Sequence, residues 1–436
     1  MRRERVAGAA LAAAGLLFVL AATLTPVPGE VYLLPARCVI CGAYGSVDFF
    51  NNVVMFVPLA AGLALAGVRR WLVLLLCFLL TGLIELLQVA VIVGRDANLG
   101  DVLANTLGGA AGVLLAATWR RWLQPAPRAA RPLAAAAAAA WLLVIAGTGW
   151  VLQRDVPPGA YAAQMVPYLE DGYSFYRGRT LAAALNGRPL AAGVPSRDLT
   201  WVRDTLLAER VAVDAVVTTG SEPRRLAPVA IVWSGNAGEL VALGQRRRDV
   251  VFRIRQRTAR ARLRPPTAVI ANGFPYVPIV PRPDLAPTDT MRVRGGVESR
   301  ALYVEATFRG RRERREVPLA ASLGWTFFLP FEYRFGHGLP FLSALWLGGL
   351  LVPFGYWGAC AAGGGTRRAM RTWVPATLAT VAAGLVVLPA AWALHPALWW
   401  EWAAAAAGAG AGWLAGAWSQ RGAPAAHRAP SDSGGR

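Results

Sequence analysis

Residues 69–94 read RRWLVLLLCFLLTGLIELLQVAVIVG, two arginines and then an apolar stretch that carries Glu85 and Gln88. A bilayer core of about 30 Å takes about 20 residues of helix, so 71–93 predicts a membrane span. Comparable runs lie at about 6–25, 52–68, 101–118, 133–151, 339–357, 373–394 and 402–418, which makes eight candidate spans. The first follows Met1-Arg2-Arg3-Glu4-Arg5. Because more apolar spans come directly after it, it reads as a retained helix rather than a cleaved signal peptide.

The composition agrees. Of 436 residues, 55% are hydrophobic and 16% charged, and the mean hydropathy is +0.40. Soluble chains carry about 25% charged residues, so lipid is part of this chain's solvent. The formal charge of +20 would suit nucleic acid, but its placement does not. The basic residues are all arginine, which points to base-composition bias, and many sit in short loops between spans. No nucleic-acid partner and no cofactor is expected.

Arginine placement also predicts orientation. Arg2, Arg3 and Arg5 precede the first span, Arg69 and Arg70 follow the second, and Arg120, Arg121, Arg128 and Arg131 follow the fourth. Arg367, Arg368 and Arg371 follow the sixth, and Arg421 and Arg428 the eighth. The alternate short loops hold only Arg37 and Arg95. With eight spans this places both termini in the cytoplasm and residues of about 153–338 outside it, in an inner-membrane protein.

Between Gln153 and Trp325 the text changes to proline, arginine and short alternating segments. Asp249–Gln256 sends Val250, Phe252 and Ile254 one way and Val251, Arg253 and Arg255 the other. Ala301–Gly310 alternates likewise, and Arg210–Thr219, Ala227–Ser234 and Glu239–Gly244 are further strand candidates. Period-2 alternation means strands with one buried face, and several at this spacing predict a sandwich. The run from Val211 to Gln256 resembles the concanavalin/laminin G-like jelly-roll family, which implies carbohydrate binding. Calcium often serves that binding, but Asp204, Asp214 and Glu239 are scattered, so no metal site is expected.

Ionisable groups inside spans are costly, which makes them functional candidates. Asp48, Asn51 and Asn52 share one helix face, as do Glu85 with Gln88 and Asp101 with Asn105. Counted from Trp71, Glu85 stands about 21 Å along its helix, in the outer third of the bilayer. Three helices thus aim carboxylates and amides at one outward-facing spot, with Arg95 above as counter-charge. Gly108, Gly109 and Gly112 predict close helix packing. The catalytic reading makes Glu85 a general acid/base, Asp101 its partner and Arg95 a phosphate or carboxylate clamp. Asp48, Asn52, Gln88 and Asn105 would then bind. The plainer reading is interhelical glue.

These positions form D-x-x-x-N-x-x-x-F-x-P (Asp48, Asn52, Phe56, Pro58), E-x-x-Q (Glu85, Gln88) and R-x-x-x-x-x-D-x-x-x-N-x-x-G (Arg95, Asp101, Asn105, Gly108). Over about residues 10–120 the arrangement resembles the VanZ-like family. That resemblance implies a cell-envelope role linked to glycopeptide tolerance, and no particular reaction. The family's second-span motif often has Lys near Asp48, where Phe49 and Phe50 stand here. Any role of that cation passes to Arg95 or is absent.

Cys38-Val-Ile-Cys41 lies in the first outer loop. It fits a small disulfide, two free thiols, redox chemistry or half a metal site, with His337 and His395 as the available histidines. The expected organisation is a four-helix membrane domain at 1–125, a fifth span and linker at 126–152, a sandwich at 153–330, a three-span unit at 331–420 and a disordered cytoplasmic tail at 421–436. Membrane lipid is an expected partner. An envelope glycan or lipid-linked precursor is the expected ligand, with a non-catalytic anchored scaffold as the alternative and a transporter behind both.

Overall fold

The computed structural model describes residues 2–26, 38–92, 98–166, 172–192, 200–275, 289–331, 338–363 and 367–421. Arg95, His337 and the predicted disordered tail beyond Arg421 lie outside these residues. Among those described, seven helical segments are long and apolar enough to cross a membrane. They are α1 (Arg2–Leu24), α2 (Gly45–Ala66), α3 (Arg70–Ala90), α4 (Leu99–Leu123), α5 (Pro127–Val151), and the interrupted segments Leu339–Ala361 and Met370–Ala391. A short helix, α6 (Thr200–Leu207), belongs to the β region.

The first interrupted segment comprises α7 (Leu339–Gly349) and α8 (Val352–Ala361). Pro353, which has no N–H to donate, sits in the first turn of the restarted helix, where none is needed. The second comprises α9 (Arg367–Ala382), a π-helical turn at Ala383–Val387 and α10 (Leu388–Ala391). The Trp141 ring lies where a side chain at Gly384 would be, and Pro389 follows, so the widened turn has a packing cause. The eighth predicted span is also a helix, α11 (Trp399–Arg421), of 23 residues. Alanine, glycine and tryptophan make it less apolar than the other seven.

Helix α2 begins at Gly45, well before the apolar run at 52 that marked its predicted start. Asp48, Asn51 and Asn52 are therefore helical. Their spacing puts them on one helix face, from which Asn51 and Asn52 bond to neighbouring elements.

Two helical bundles result. Val19, Phe56, Leu59, Val73, Cys77 and Ile84 form the core of α1–α4. Helix α5 packs with α7–α11 through Trp141, Ile145, Leu347, Phe354 and Leu385, and that core continues unbroken into the β region. Trp141 Nε1 also donates to the Leu347 carbonyl at 3.2 Å. The bundles touch at the end away from the β region, where Trp357 Nε1 donates to the Trp122 carbonyl at 2.8 Å.

The β region is a sandwich of two antiparallel sheets. Its strands are β1 (Tyr161–Met165), β2 (Thr180–Leu185), β3 (Arg188–Pro189), β4 (Val211–Thr218), β5 (Ala227–Ser234) and β6 (Gly238–Arg246). They continue with β7 (Asp249–Ile254), β8 (Ala268–Ile270), β9 (Thr290–Glu298), β10 (Ala301–Phe308) and β11 (Arg311–Pro318). One sheet runs β1-β5-β6-β7-β8 and the other β11-β10-β9-β4-β2-β3. Val213, Val217, Phe252, Val293, Leu302 and Val304 fill the space between them.

Two details depart from simple alternation. Val251, expected on a polar face, is buried in a second small cluster with Leu226, Ile231, Ala242 and Val269, against which Tyr173 packs. The outer face of that sheet is thus covered as well. Strand β11 carries charge on both faces, and its ion pairs include Arg312–Glu305 at 2.7 Å and Arg315–Glu313 at 3.1 Å. A charged edge of this kind discourages pairing with another chain.

The sandwich is fastened to α5 directly. Thr258 N donates to the Val151 carbonyl at 3.0 Å and Asp155 N to that of Arg255 at 3.1 Å, so the chain leaving the helix pairs with the segment after β7.

Candidate functional site

Helix α4 starts on an asparagine cap. Asn98 Oδ1 accepts from Asp101 N at 3.0 Å, and Asn98 Nδ2 donates to Asp101 Oδ2 at 3.0 Å. The first bond satisfies one of the backbone N–H groups that a helix start leaves open, and the second ties the two side chains together. The Asn98 backbone N–H also donates to Glu85 Oε2 of α3 at 3.0 Å. From α2, Asn52 Nδ2 donates to the other Asp101 oxygen at 2.6 Å. Glu85, Asp101 and Asn52 therefore meet, as their spacing led one to expect, and the residue that joins the two carboxylates is Asn98. An Asn three residues before an Asp at the head of an apolar run is a cap signature, so Asn98 was legible in the sequence.

Gln88 and Asn105 lie on either side of this meeting point, Gln88 one turn outward along α3 and Asn105 one turn inward along α4. Gln88 lies on the buried face of α3 with Glu85 but turns to α1, where its Nε2 donates to the Thr23 carbonyl at 3.1 Å. Asn105 Nδ2 donates to Thr81 Oγ1 at 2.8 Å. Thr81 is fully buried and carries no charge, so nothing in the sequence marked it. Gln88 Oε1 and Asn105 Oδ1 are buried and have no hydrogen-bond partner among the described residues. Asp48, in the first turn of α2, is exposed.

Close helix contact holds these groups together. A Cβ on Gly108 would overlap the Val53 carbonyl oxygen, and one on Gly112 would stand against that of Val57, so α4 lies backbone to backbone on α2. Cys38 and Cys41 are disulfide-bonded, and the small loop they close seats the Val39 carbonyl against Gly100, beside Asp101.

The sandwich sits on this same end of the α1–α4 bundle. Asn51 Nδ2 donates to the Phe328 carbonyl at 3.1 Å, and the Phe50 and Phe328 rings lie 4.4 Å apart. Arg264 stacks on Tyr44 at 4.2 Å while donating to the Leu329 and Pro330 carbonyls, and Arg262 donates to the Ile40 carbonyl.

Two of the three carboxylates considered for calcium are engaged elsewhere. Asp214 pairs with Arg294 at 3.2 Å, and Glu239 is held by Arg253 and by the Tyr173 hydroxyl. Burial, reinforced by the Glu239 charge, pushes the Tyr173 phenol pKa up and keeps it a donor. Among the described residues no group of three or more His, Cys, Asp or Glu is placed to hold a metal ion.

Residues 17–120 match the VanZ/LLP1 family model. The N-terminal bundle is a VanZ-like domain. The match runs from within α1 through most of α4 and so contains Glu85, Gln88, Asn98, Asp101 and Asn105. No curated protein and no solved structure matches the chain. The β region accordingly stands as a sandwich defined by its own strand order.

Chemically, the VanZ-like domain offers acceptors. Both Asp101 oxygens and one Glu85 oxygen accept in this structure, and the Gln88 amide is oriented by its donation to a carbonyl, which leaves its oxygen as an acceptor too.

Proposed function

We propose that the VanZ-like domain is the recognition end of a multi-pass cell-envelope protein. It receives the hydroxyl or ammonium groups of an envelope glycan or lipid-linked precursor, and the sandwich covers the site. The supporting observation is the meeting of Glu85 and Asp101, from separate helices, on one asparagine, flanked by two buried amide oxygens, of Gln88 on the outer side and Asn105 on the inner, that have no partner among the described residues. A carboxylate pair favours donors and cations over phosphate, so binding is the reading preferred to acid–base catalysis by Glu85 with Asp101 and Arg95. Glycopeptide tolerance is the expected phenotype, and the sandwich is a second candidate surface for glycan.

The reading is tested by Glu85→Gln and Asp101→Asn. Each keeps shape while removing charge, and in Asp101→Asn the new amide nitrogen faces Asn52, whose own amide can turn over to accept from it. Both variants should insert and melt as the wild type does, yet lose the glycopeptide tolerance that the wild-type chain confers. A second reading, an anchored scaffold with polar glue between its helices, is supported by the engagement of both Asp101 oxygens. Full tolerance in both variants would establish the scaffold and remove the site.

The proposed orientation puts both termini in the cytoplasm and the sandwich outside. Arginine placement supports it, and so does the Cys38–Cys41 disulfide, since such bonds persist in oxidising compartments. After mild reduction of intact cells, a membrane-impermeant maleimide should label Cys38 and Cys41 and leave the buried Cys77 and Cys360 unmodified. If labelling needs permeabilised cells, the orientation is reversed.

A further inference from the structure

The C-terminal helices meet the sandwich at a cleft with two unlike halves. The half beside the helices is a cavity of about 270 Å³ walled by Leu385, Val386, Pro389, Leu394 and Trp402. The half beside the sandwich is a cavity of about 390 Å³ that carries Arg154, Arg210, Arg300 and one carboxylate, Glu209. Arg300 and Leu394 line both. The apolar half is built on the π-helical turn that widens the α9–α10 segment, at the end of that span nearest the sandwich.

Arg300 is held there at a conformational cost. Ala301 pairs with Glu298, so Ser299 and Arg300 form a two-residue hairpin turn, and both have positive φ, at 49° and 62°. The β2–β3 and β10–β11 turns have the same form and place Gly187 and Gly310 at the second position, with φ of 80° and 78°. In the third turn an arginine stands where the other two have glycine. A hairpin of this type favours glycine there, so the exception points to a use for the side chain. Its guanidinium donates to the Leu394 carbonyl at 3.0 Å, next to Ala393, which is itself at a φ of 47°. Two strained turns thus face each other across the cleft. Arg154 is committed to the carbonyls that end α6, whereas Arg300 uses one nitrogen on Leu394 and the exposed Arg210 has only a 3.6 Å surface pair with Glu298, so these two guanidinium groups have donors to offer a ligand.

We infer that this cleft binds a membrane amphiphile with a phosphate head and a hydrocarbon tail. The planar guanidinium of Arg300, with Arg210, holds the phosphate by charge-assisted hydrogen bonds, and the tail lies along Leu385, Val386 and Pro389. The site shares no residue with the Glu85–Asp101 cluster, so its failure would leave the proposed function untouched.

The test uses the full chain in detergent and native mass spectrometry. The probes are dioleoyl phosphatidic acid, dioleoylglycerol and inorganic phosphate. Wild type should retain the phosphatidic acid at least about tenfold better than the diacylglycerol, and millimolar phosphate should not displace it. Arg300→Gly, which removes the head clamp while relaxing the turn, should melt no lower than wild type and lose about tenfold in retention. Val386→Trp, which fills the apolar half, should also lose retention, and Arg312→Ala on β11 should not. Equal retention of the two lipids, or wild-type binding by Arg300→Gly, overturns the inference. So does binding of inorganic phosphate as tight as that of the lipid with no effect of Val386→Trp, which would make this a site for free phosphate.

Discussion

Asp155→Ala should destabilise the junction between α5 and the sandwich by about 3 kcal/mol, the scale for leaving a largely buried arginine without its partner. The Asp155 side chain is 3% exposed. One oxygen accepts from Arg255 Nε at 2.9 Å and the other pairs with Arg260 at 2.7 Å. Arg260 is 59% exposed and can turn to water, so most of the cost falls on Arg255, which is 21% exposed and also holds the Ala237 carbonyl. Tryptophan fluorescence during thermal unfolding in detergent would report it, because Trp150 lies at this junction against Arg257. Glu313→Ala, at an exposed pair on β11, should cost less than about 1 kcal/mol. Equal melting of the two variants would show that Asp155 does not fasten the junction. Exchanging Asp155 and Arg255 together for apolar residues of like volume should recover much of the loss, since paired removal strands no charge.

The spans were legible in the sequence because lipid demands an unbroken apolar run, and length alone identifies such runs. That argument starts α2 too late, at 52, because it counts apolar residues alone, whereas the spacing of Asp48, Asn51 and Asn52 already put them on one helix face. It is silent on the partnership of α5, whose apolar face shows no preference between the bundle before it and the helices after the sandwich. Among strands, Asp249–Ile254 and Ala301–Phe308 showed themselves by alternation. Strand β11 did not, because an edge strand with charge on both faces has no period to read. At the candidate site, helical spacing brought Glu85 to Asp101 correctly. It also grouped Gln88 with them, and Gln88 instead meets α1, one helical turn along α3. Spacing shows which residues share a face, not which neighbour each one touches.

Gly108→Leu tests whether the VanZ-like site depends on backbone contact between α2 and α4. The new side chain would meet the Val53 carbonyl and the Phe56 Cβ. Neither can withdraw by rotating a side chain, so the helices must separate. Overpacking of this kind costs about 1–3 kcal/mol, and the upper end is expected where the obstacle is backbone. The same displacement stretches the 2.6 Å contact of Asn52 with Asp101. Stability and the geometry of the site should therefore fail together. Gly82→Leu is the matched control: nothing lies within 4 Å of that position and it is exposed on α3, so melting and yield should hold. Val53→Ala should not rescue Gly108→Leu, because the clash is with a carbonyl that alanine retains. A Gly108→Leu chain with wild-type melting and wild-type tolerance would mean that α2 and α4 are free to separate, and that the carboxylate cluster is not held by their contact.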